Sequence, residues 1–222
     1  MRPRAITFDA FGTLVHDGLE TIEETAALIA RDHGLSGPDF LERWQGRYFG
    51  LLSGEPFRTI VEANDLSLHE TAGTFGVTAD LRPYLDRMVY RWRAIPPYAE
   101  TISVLRALRG LPMAVVSNAD DDLLLQVLRT GGIDIPCVIS SERTRCYKPD
   151  ARIFHAALQA LDLPAGQVLH VGDSPEADVR GAAGAGMQTA WVNRRGLPRH
   201  AVFPDHEIPD LTGLLDLVRP SD

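Results

Sequence analysis

The spacing of apolar residues along the chain changes near residue 17, where a strand pattern gives way to helical spacing, and again near residue 96, where strand patterns return. These two changes divide the sequence into three segments. Apolar and β-branched residues fill positions 5–8 and predict a buried strand. Between residues 17 and 95 the apolar residues recur at helical spacing and predict helices over 20–32, 40–52, 57–68 and 81–92. We therefore expect a strand-based domain of residues 1–16 and 96–222, interrupted by an all-helical domain of residues 17–95. The proline pair at 96–97 suits a linker.

Strand and helix patterns alternate from residue 96 onward. Strands are predicted over 113–116, 136–139, 168–171 and 188–192, and helices over 98–108, 120–129, 150–161, 175–184 and 211–218. Such alternation implies right-handed crossovers between parallel strands. The predicted fold class is α/β: a Rossmann-like parallel sheet with helices on both faces, plus the inserted helical bundle. The stretch 194–209, rich in Pro, Arg and His, is predicted to be an ordered loop.

Composition narrows the possible partners and the location. The chain has 222 residues, 45% of them hydrophobic, enough for one core and a smaller satellite. Its formal net charge of −8 argues against a nucleic acid or an acidic membrane as partner. The two cysteines, Cys137 and Cys146, make no disulfide framework and have no histidine at metal-ligand spacing. We find no signal core and no membrane span, so a cytoplasmic location is the default expectation.

Polar residues follow the predicted strands at four places along the chain. They are Asp9 with Thr13, Ser117 with Asn118, Lys148 before Pro149, and Asp173 with Asp178. Each alone has a common structural explanation, such as a turn, a helix N-cap or a surface loop. Because the ends of parallel strands meet at one edge of a sheet, their joint occurrence in this order predicts one cleft.

The residue types in this cleft suit phosphoryl transfer. Asp9 would be a carboxylate nucleophile that forms an aspartyl-phosphate. The candidates for binding the phosphoryl oxygens are Thr13, Ser117, Asn118 and Lys148, and the Lys148 ammonium would also neutralise charge in the transition state. Asp9 and Asp173 would share a hard cation, with Mg²⁺ expected.

These motifs resemble the haloacid dehalogenase-like hydrolase superfamily. The matching stretches are Phe8-Asp9-Ala10-Phe11-Gly12-Thr13-Leu14, Val116-Ser117-Asn118, Tyr147-Lys148-Pro149-Asp150, and Val171-Gly172-Asp173-Ser174 with Asp178 and Gly181-Ala182. The similarity covers residues 1–15 and 96–195, and more weakly the helical segment. It implies a Rossmann-like core and a helical cap inserted after the first strand.

The chain departs from the superfamily's phosphatases at Phe11. Phosphatases of this superfamily usually have a second aspartate there, which acts as a general acid/base, and a phenylalanine cannot transfer a proton. The turn instead resembles the 2-haloacid dehalogenases, which use no metal. Those enzymes carry a serine and an asparagine where this chain has Asp173 and Pro175, and bind the departing halide with a cap arginine. The sequence thus combines two patterns.

Electrostatics favours the metal-dependent interpretation at this stage. Asp9, Asp173 and Asp178 would crowd one cleft, and carboxylates a few ångströms apart either raise a pKa or require a cation. The Phe11 backbone carbonyl would be a further ligand of Mg²⁺, and Asp178 would be a ligand or lie just behind the ligands. The main hypothesis is Mg²⁺-dependent hydrolysis of a small phosphorylated substrate by a monomer or homodimer.

Two alternatives stay open. The first is a dehalogenase-like hydrolase that cleaves a carbon–halogen bond with Asp9 as nucleophile. The second is a weakly active protein that binds a phosphorylated ligand in a regulatory role. Cap residues that could contact substrate are Trp44, Arg47, Tyr48 and Phe49, although an aromatic stripe on a helix is more often core.

Overall fold

The computed structural model describes residues 2–198 and 203–218 of the chain. Contacts divide the chain into two compact units. One comprises the residues up to 17 together with those from 96 onward, and the other is Gly18–Ile95. Among the described residues, no helix is both long and apolar enough to cross a membrane.

The first unit is built on a parallel sheet of six strands within the described residues. The strands are β1 (Ala5–Phe8), β2 (Met113–Ser117), β3 (Cys137–Ser140), β4 (Val168–Gly172), β5 (Gln188–Val192) and β6 (His206–Ile208). Their order in the sheet is β3-β2-β1-β4-β5-β6. All four residues of β1 are buried, as expected for an inner strand of a parallel sheet covered on both faces. The order changes direction at β1, between β2 and β4, where doubly wound sheets bind their ligands.

The second unit consists of four helices. They are α1 (Leu19–His33), α2 (Gly37–Leu52), α3 (Ile60–Thr74) and α4 (Arg82–Trp92). Trp44 is buried in this unit, where its indole donates to Ser67 Oγ at 3.0 Å. Phe49 is exposed. Trp44 is therefore a core residue of the helical unit, whereas Phe49 is not.

Helices flank the sheet of the first unit. They are α5 (Thr101–Ala107), α6 (Asp121–Thr130), α7 (Ser141–Thr144), α8 (Ala151–Leu161), α9 (Gly181–Gly184) and α10 (Leu214–Val218). Short 3₁₀ helices precede β4 and α10. The turn between β4 and α9 is a π-helix, Pro175–Arg180. The α/β fold class predicted from the sequence is confirmed by this architecture.

Several predicted boundaries are wrong for identifiable reasons. The helix predicted over 57–68 begins at Ile60, because Thr59 and Glu62 form a capping box, and it continues to Thr74. The helix predicted from residue 98 begins at Thr101, since the Tyr98 amide donates to Leu14 O in the loop before it.

The largest error concerns the stretch 194–209, which was predicted to be a loop. It contains β6, a strand too short to show any apolar period. Asp205 accepts from the amide and hydroxyl of Thr189 and so aligns this segment beside β5. Residues 199–202 lie outside the described residues.

Close packing beside the loop that follows Lys148 depends on Gly181, the first residue of α9. A Cβ built on Gly181 would lie 2.7 Å from the Phe154 ring and 3.0 Å from the Pro149 Cα. The Phe154 ring is fully buried and stacks edge-on against the His170 ring, with 5.1 Å between centroids. Space for a methyl group is therefore absent between α9 and the loop that follows Lys148.

We predict that Gly181→Ala lowers the free energy of unfolding by about 1–3 kcal/mol, as overpacking typically does. The matched control is Gly184→Ala, because a Cβ at Gly184 meets nothing within 4 Å. The control should be neutral or slightly stabilising, since alanine restricts the unfolded chain. Urea titration of both variants measures the difference. Equal free energies of unfolding for the two variants would show that the Phe154 ring can move aside without loss of stability.

Candidate active site

Four predicted site residues meet where the strands of the sheet end. Asp9 follows β1, Ser117 ends β2, Lys148 lies in the loop between α7 and α8, and Asp178 lies in the turn after β4. Ser117 Oγ donates to Asp9 Oδ1 at 3.0 Å. Lys148 Nζ lies 2.6 Å from Asp9 Oδ1 and 2.5 Å from Asp178 Oδ1. The sequence prediction of one shared cleft agrees with this geometry.

Lys148 is the only lysine in the sequence, and all of the remaining Lys and Arg residues are arginines. Its side chain is 2% exposed and lies between two carboxylates that are also buried. A compact ammonium can donate to two carboxylates from one point, whereas the wide planar guanidinium suits a bidentate pair. This site therefore requires the shape of lysine as well as its charge.

Charges in the cluster shift several pKa values. Burial alone would lower the pKa of Lys148, but Asp178 and Asp9 outweigh burial and raise it. Burial would likewise raise the pKa of Asp178, yet Lys148 and His170 hold that pKa well below its usual range. The pKa of Asp9 is raised by burial, with Lys148 opposing the shift. Lys148 and Asp178 thus remain an ion pair throughout the neutral range.

Asp178 is anchored by neighbours that hold it in place. The Ser174 amide donates to Asp178 Oδ2 at 2.9 Å, and His170 Nε2 lies 3.2 Å from Asp178 Oδ1. His170 in turn contacts Thr7 Oγ1 through its Nδ1 at 2.9 Å. The sequence gives no direct signal for His170, which is one polar residue inside an apolar strand. Its inward position on β4 becomes visible only once the strand register is known.

Asp173 brings a third carboxylate to the cluster. Its carboxylate and those of Asp9 and Asp178 each offer an oxygen, and these three oxygens lie within 4.8 Å of one another. Burial, reinforced by Asp9 and Asp178, raises the pKa of Asp173 to about 8. Trp191 Nε1 donates to the Asp173 carbonyl at 2.8 Å and fixes its main chain. Such a donor set fits a hard divalent cation, for which carboxylate oxygens are the preferred ligands.

The Asn118 side chain is hydrogen-bonded to the main chain of Lys148. Its side-chain Nδ2 donates to Lys148 O at 3.2 Å, and its Oδ1 accepts from Lys148 N at 2.7 Å. Both ends of the amide are used by one peptide unit, so the side chain positions Lys148. Phosphoryl binding by Asn118 stays a prediction.

The turn Asp9–Leu14, which we call the nucleophile turn, brings the chain back from β1. Gly12 has a positive φ of 85°, and a Cβ built there would collide with the Asp173 carboxylate. Thr13 is fully buried, and its Oγ1 has no hydrogen-bond partner among the described residues. An unpaired buried hydroxyl is costly, which is consistent with the predicted substrate-binding role of Thr13. Phe11 is half-buried, and its carbonyl stays a predicted ligand only.

The family model of the haloacid dehalogenase-like hydrolases matches residues 3–186 of this sequence. The chain therefore belongs to the haloacid dehalogenase-like hydrolase family, and it is a hydrolase of that family. The resemblance inferred from the four motifs is confirmed.

Among its relatives, an (S)-2-haloacid dehalogenase from Pseudomonas putida is 28% identical over 229 residues, covering 97% of this chain and 98% of that protein. A phosphoserine phosphatase from Thermus thermophilus is 32% identical over 190 residues, covering 83% of this chain and 70% of that protein. A solved L-2-haloacid dehalogenase aligns with a TM-score of 0.80 at 25% identity, covering 98% of this chain and 99% of the other.

Asp173 provides a prediction about stability and pH. Between its ordinary pKa of 3.8 and about 8, the folded protein holds a proton that the unfolded chain has lost. The contribution of Asp173 to stability therefore falls as pH rises through this window. We expect Asp173→Asn to remove that loss, so its melting temperature relative to the parent should increase from about pH 5 to about pH 8.5 in EDTA.

The control for this prediction is Asp134→Asn, which changes an exposed carboxylate in the loop before β3. Its melting temperature should follow the parent's at every pH. A constant difference between Asp173→Asn and the parent across the range would show that Asp173 is ionised in the folded protein without metal.

Proposed function

We propose that the protein hydrolyses a small substrate through a covalent ester on Asp9, and that the bond cleaved is the carbon–halogen bond of a 2-haloacid. The observation that carries the proposal is the pair of donors on one oxygen of Asp9. Lys148 and Ser117 both donate to Asp9 Oδ1, while Oδ2 receives no hydrogen bond from the described residues. Relatives that are 2-haloacid dehalogenases over nearly the whole chain support this choice over the phosphatase hypothesis favoured from the sequence.

In the first step, Asp9 Oδ2 attacks the carbon that bears the halogen. A carbon–oxygen bond forms, the carbon–halogen bond breaks, and the halide leaves with the bonding electron pair. Lys148 and Ser117 hold Oδ1 and so fix the plane of the carboxylate for attack by Oδ2. The substrate carbon acquires an ester bond to Asp9.

In the second step, water attacks the Cγ of the Asp9 ester. Negative charge then develops on Oδ1, where Lys148 Nζ and Ser117 Oγ already lie at 2.6 and 3.0 Å. Donors prearranged around a developing oxyanion are a large source of catalysis. Collapse of the intermediate breaks the bond between Cγ and the substrate oxygen, which takes one proton of the attacking water while the other proton is released to solvent. The products are the 2-hydroxy acid and the Asp9 carboxylate. The two donors thus serve both steps.

Phe11 is compatible with this leaving group. A halide departs without a proton, whereas an alkoxide leaves poorly unless a general acid protonates it. The apolar side chain of Phe11 occupies the place where a phosphatase of the superfamily would have that acid. An acid at residue 11 is therefore unnecessary for the step that expels the halide.

The charges of the cluster allow this reaction without a cation. With a pKa near 8, Asp173 is largely neutral at pH 7, so Asp9 and Asp178 face Lys148 alone. Raising one carboxyl pKa is one of the two ways to relieve crowded carboxylates, and a cation is the other.

The second candidate is metal-dependent hydrolysis of a phosphate ester. The observation that favours it is the set of three carboxylates with oxygens within 4.8 Å of one another. Asp9, Asp173 and Asp178 would hold Mg²⁺, which would offset the charge of a bound phosphate. A solved HAD-hydrolase from Bacillus subtilis bound to magnesium shares the fold, with a TM-score of 0.79 at 20% identity.

In this proposal the helical unit Gly18–Ile95 is the cap predicted from the sequence, and the substrate is a small molecule. Like the monomeric or homodimeric state, this role is an expectation from the sequence.

Paired assays test the proposal. We expect halide release from an (S)-2-haloacid in EDTA, and Asp9→Asn should abolish it because an amide is not a nucleophile. The control is phosphate release from aryl and acyl phosphates with Mg²⁺. Phosphate release without halide release would establish the second candidate and refute the first.

A single turnover in ¹⁸O-water resolves the covalent route. Because water attacks Cγ, the label should enter the Asp9 carboxylate, and the hydroxyl of the first product should come from Asp9. Mass spectrometry of the peptide that contains Asp9 measures this. Label found directly in the first product would mean that water attacks the substrate itself.

Phe11→Asp separates the two candidates further. The substitution should not raise halide release, since a halide needs no proton. On alkyl phosphates with Mg²⁺, a phosphatase core would gain about 10-fold or more, within the 10²–10⁴-fold typical of acid–base catalysis. Phe11→Leu is the matched control, because it removes the ring without adding an acid. A gain in both variants would mean that residue 11 acts through access to the site.

A further inference from the structure

We infer that Arg194 is a positioning residue that holds the nucleophile turn in its reactive place. This inference rests on the proposed function, because the place of the turn matters for turnover only if Asp9 attacks the substrate. Arg194 lies just after β5, far along the chain from Asp9. Neither the motifs nor the expected reaction assigns it a role.

Arg194 binds two consecutive carbonyls of the nucleophile turn. Its Nε donates to Gly12 O at 3.3 Å, and its Nη2 donates to Thr13 O at 2.9 Å. The neighbouring carbonyls have other partners: Ala10 O accepts from main-chain amides, and Leu14 O accepts from Thr101 Oγ1. The outer half of the turn thus depends on one guanidinium.

The guanidinium is itself held on two further sides. Arg194 Nη1 lies 2.7 Å from Glu100 Oε1, and the guanidinium carbon lies 3.5 Å from the centre of the Tyr98 ring. The Arg194 side chain is only 17% exposed. A planar fork of donors can satisfy these contacts together, and an ammonium cannot. Arg194 therefore arrives at the turn already fixed in orientation.

The position of the turn affects the reactive groups directly. Gly12 lies against the Asp173 carboxylate, and Thr13 carries the unpaired buried hydroxyl. Asp9 begins the same turn, and its Oδ1 must remain within reach of Lys148 and Ser117. A displacement of about 1 Å in a catalytic group can cost 10²-fold in rate.

The adjacent residue, Arg195, provides a matched control. Arg194 and Arg195 both line a small cavity of about 50 Å³ beside Gly12 and Asp173. Arg195 is exposed, and within the part of the chain that the structure describes it forms no hydrogen bond or ion pair. Removing Arg195 changes the same local charge without releasing the turn.

The experiment compares Arg194→Ala, Arg194→Lys and Arg195→Ala in the full chain. With the substrate found in the paired assays, Arg194→Ala should lower kcat by about 10- to 100-fold with little change in KM. Arg194→Lys should stay impaired, since lysine keeps the charge but not the fork. Millimolar guanidinium should restore part of the kcat of Arg194→Ala and should not activate the parent. Arg195→Ala should match the parent.

Hydrogen exchange supplies a readout that needs no substrate. The amides of residues 12–15 should exchange faster in Arg194→Ala, return toward the parent with guanidinium, and stay unchanged in Arg195→Ala. Unchanged exchange in Arg194→Ala would overturn the inference, as would loss of protection throughout the sheet. If the parent turns over neither substrate class, the proposed function fails, while the exchange data still decide whether Arg194 holds the turn.

Discussion

One buried ammonium between two buried carboxylates is the interaction on which the site depends. Lys148 Nζ contacts Asp9 and Asp178, and all three side chains are nearly inaccessible to water. Taking such charges out of water is expensive, so the arrangement requires good geometry and further hydrogen bonds. Removing Lys148 would leave two buried carboxylates without their cation, and breaking a buried ion pair in this way typically costs about 3–5 kcal/mol. The surrounding sheet and loops must therefore hold three side chains in register.

The elements around the sheet supply that register from both sides of β1. On one side, both ends of the Asn118 side-chain amide, just after β2, form hydrogen bonds with the main chain of Lys148. On the other side, His170 on β4 and the Ser174 amide fix Asp178. Trp191 on β5 secures the main chain of Asp173. Lys148 and Asp173 are thus held by residues on or after a neighbouring strand, and Asp178 is held by residues of its own strand and turn, as precise positioning requires.

Sequence patterns predicted which residues meet at the site better than they predicted the residues that support them. Asp9, Ser117, Lys148 and Asp178 follow from the rule that strand ends converge at one edge of a parallel sheet. His170, Trp191 and Arg194 do not, because their roles depend on strand register and on contacts between residues far apart in sequence. Asn118 shows the same limit: its position was predicted, and its partner, the main chain of Lys148, was not. The short strand β6 was not predicted, because three residues are too few to show the alternation of apolar and polar residues typical of a strand.

Asp173 links the choice of reaction to its protonation. A carboxyl group that holds a proton cannot at the same time bind a cation strongly, so proton and Mg²⁺ compete for Asp173. Without metal, its raised pKa leaves a neutral acid beside the nucleophile turn, and the cluster then suits the proposed displacement of a halide by Asp9. With metal, that proton would be released and the cluster would become less negative overall, which would favour a phosphate dianion instead. Phe11 supplies no proton in either case. Whether Asp173 holds a proton or binds Mg²⁺ would therefore determine which of the two proposed reactions the rest of the site supports.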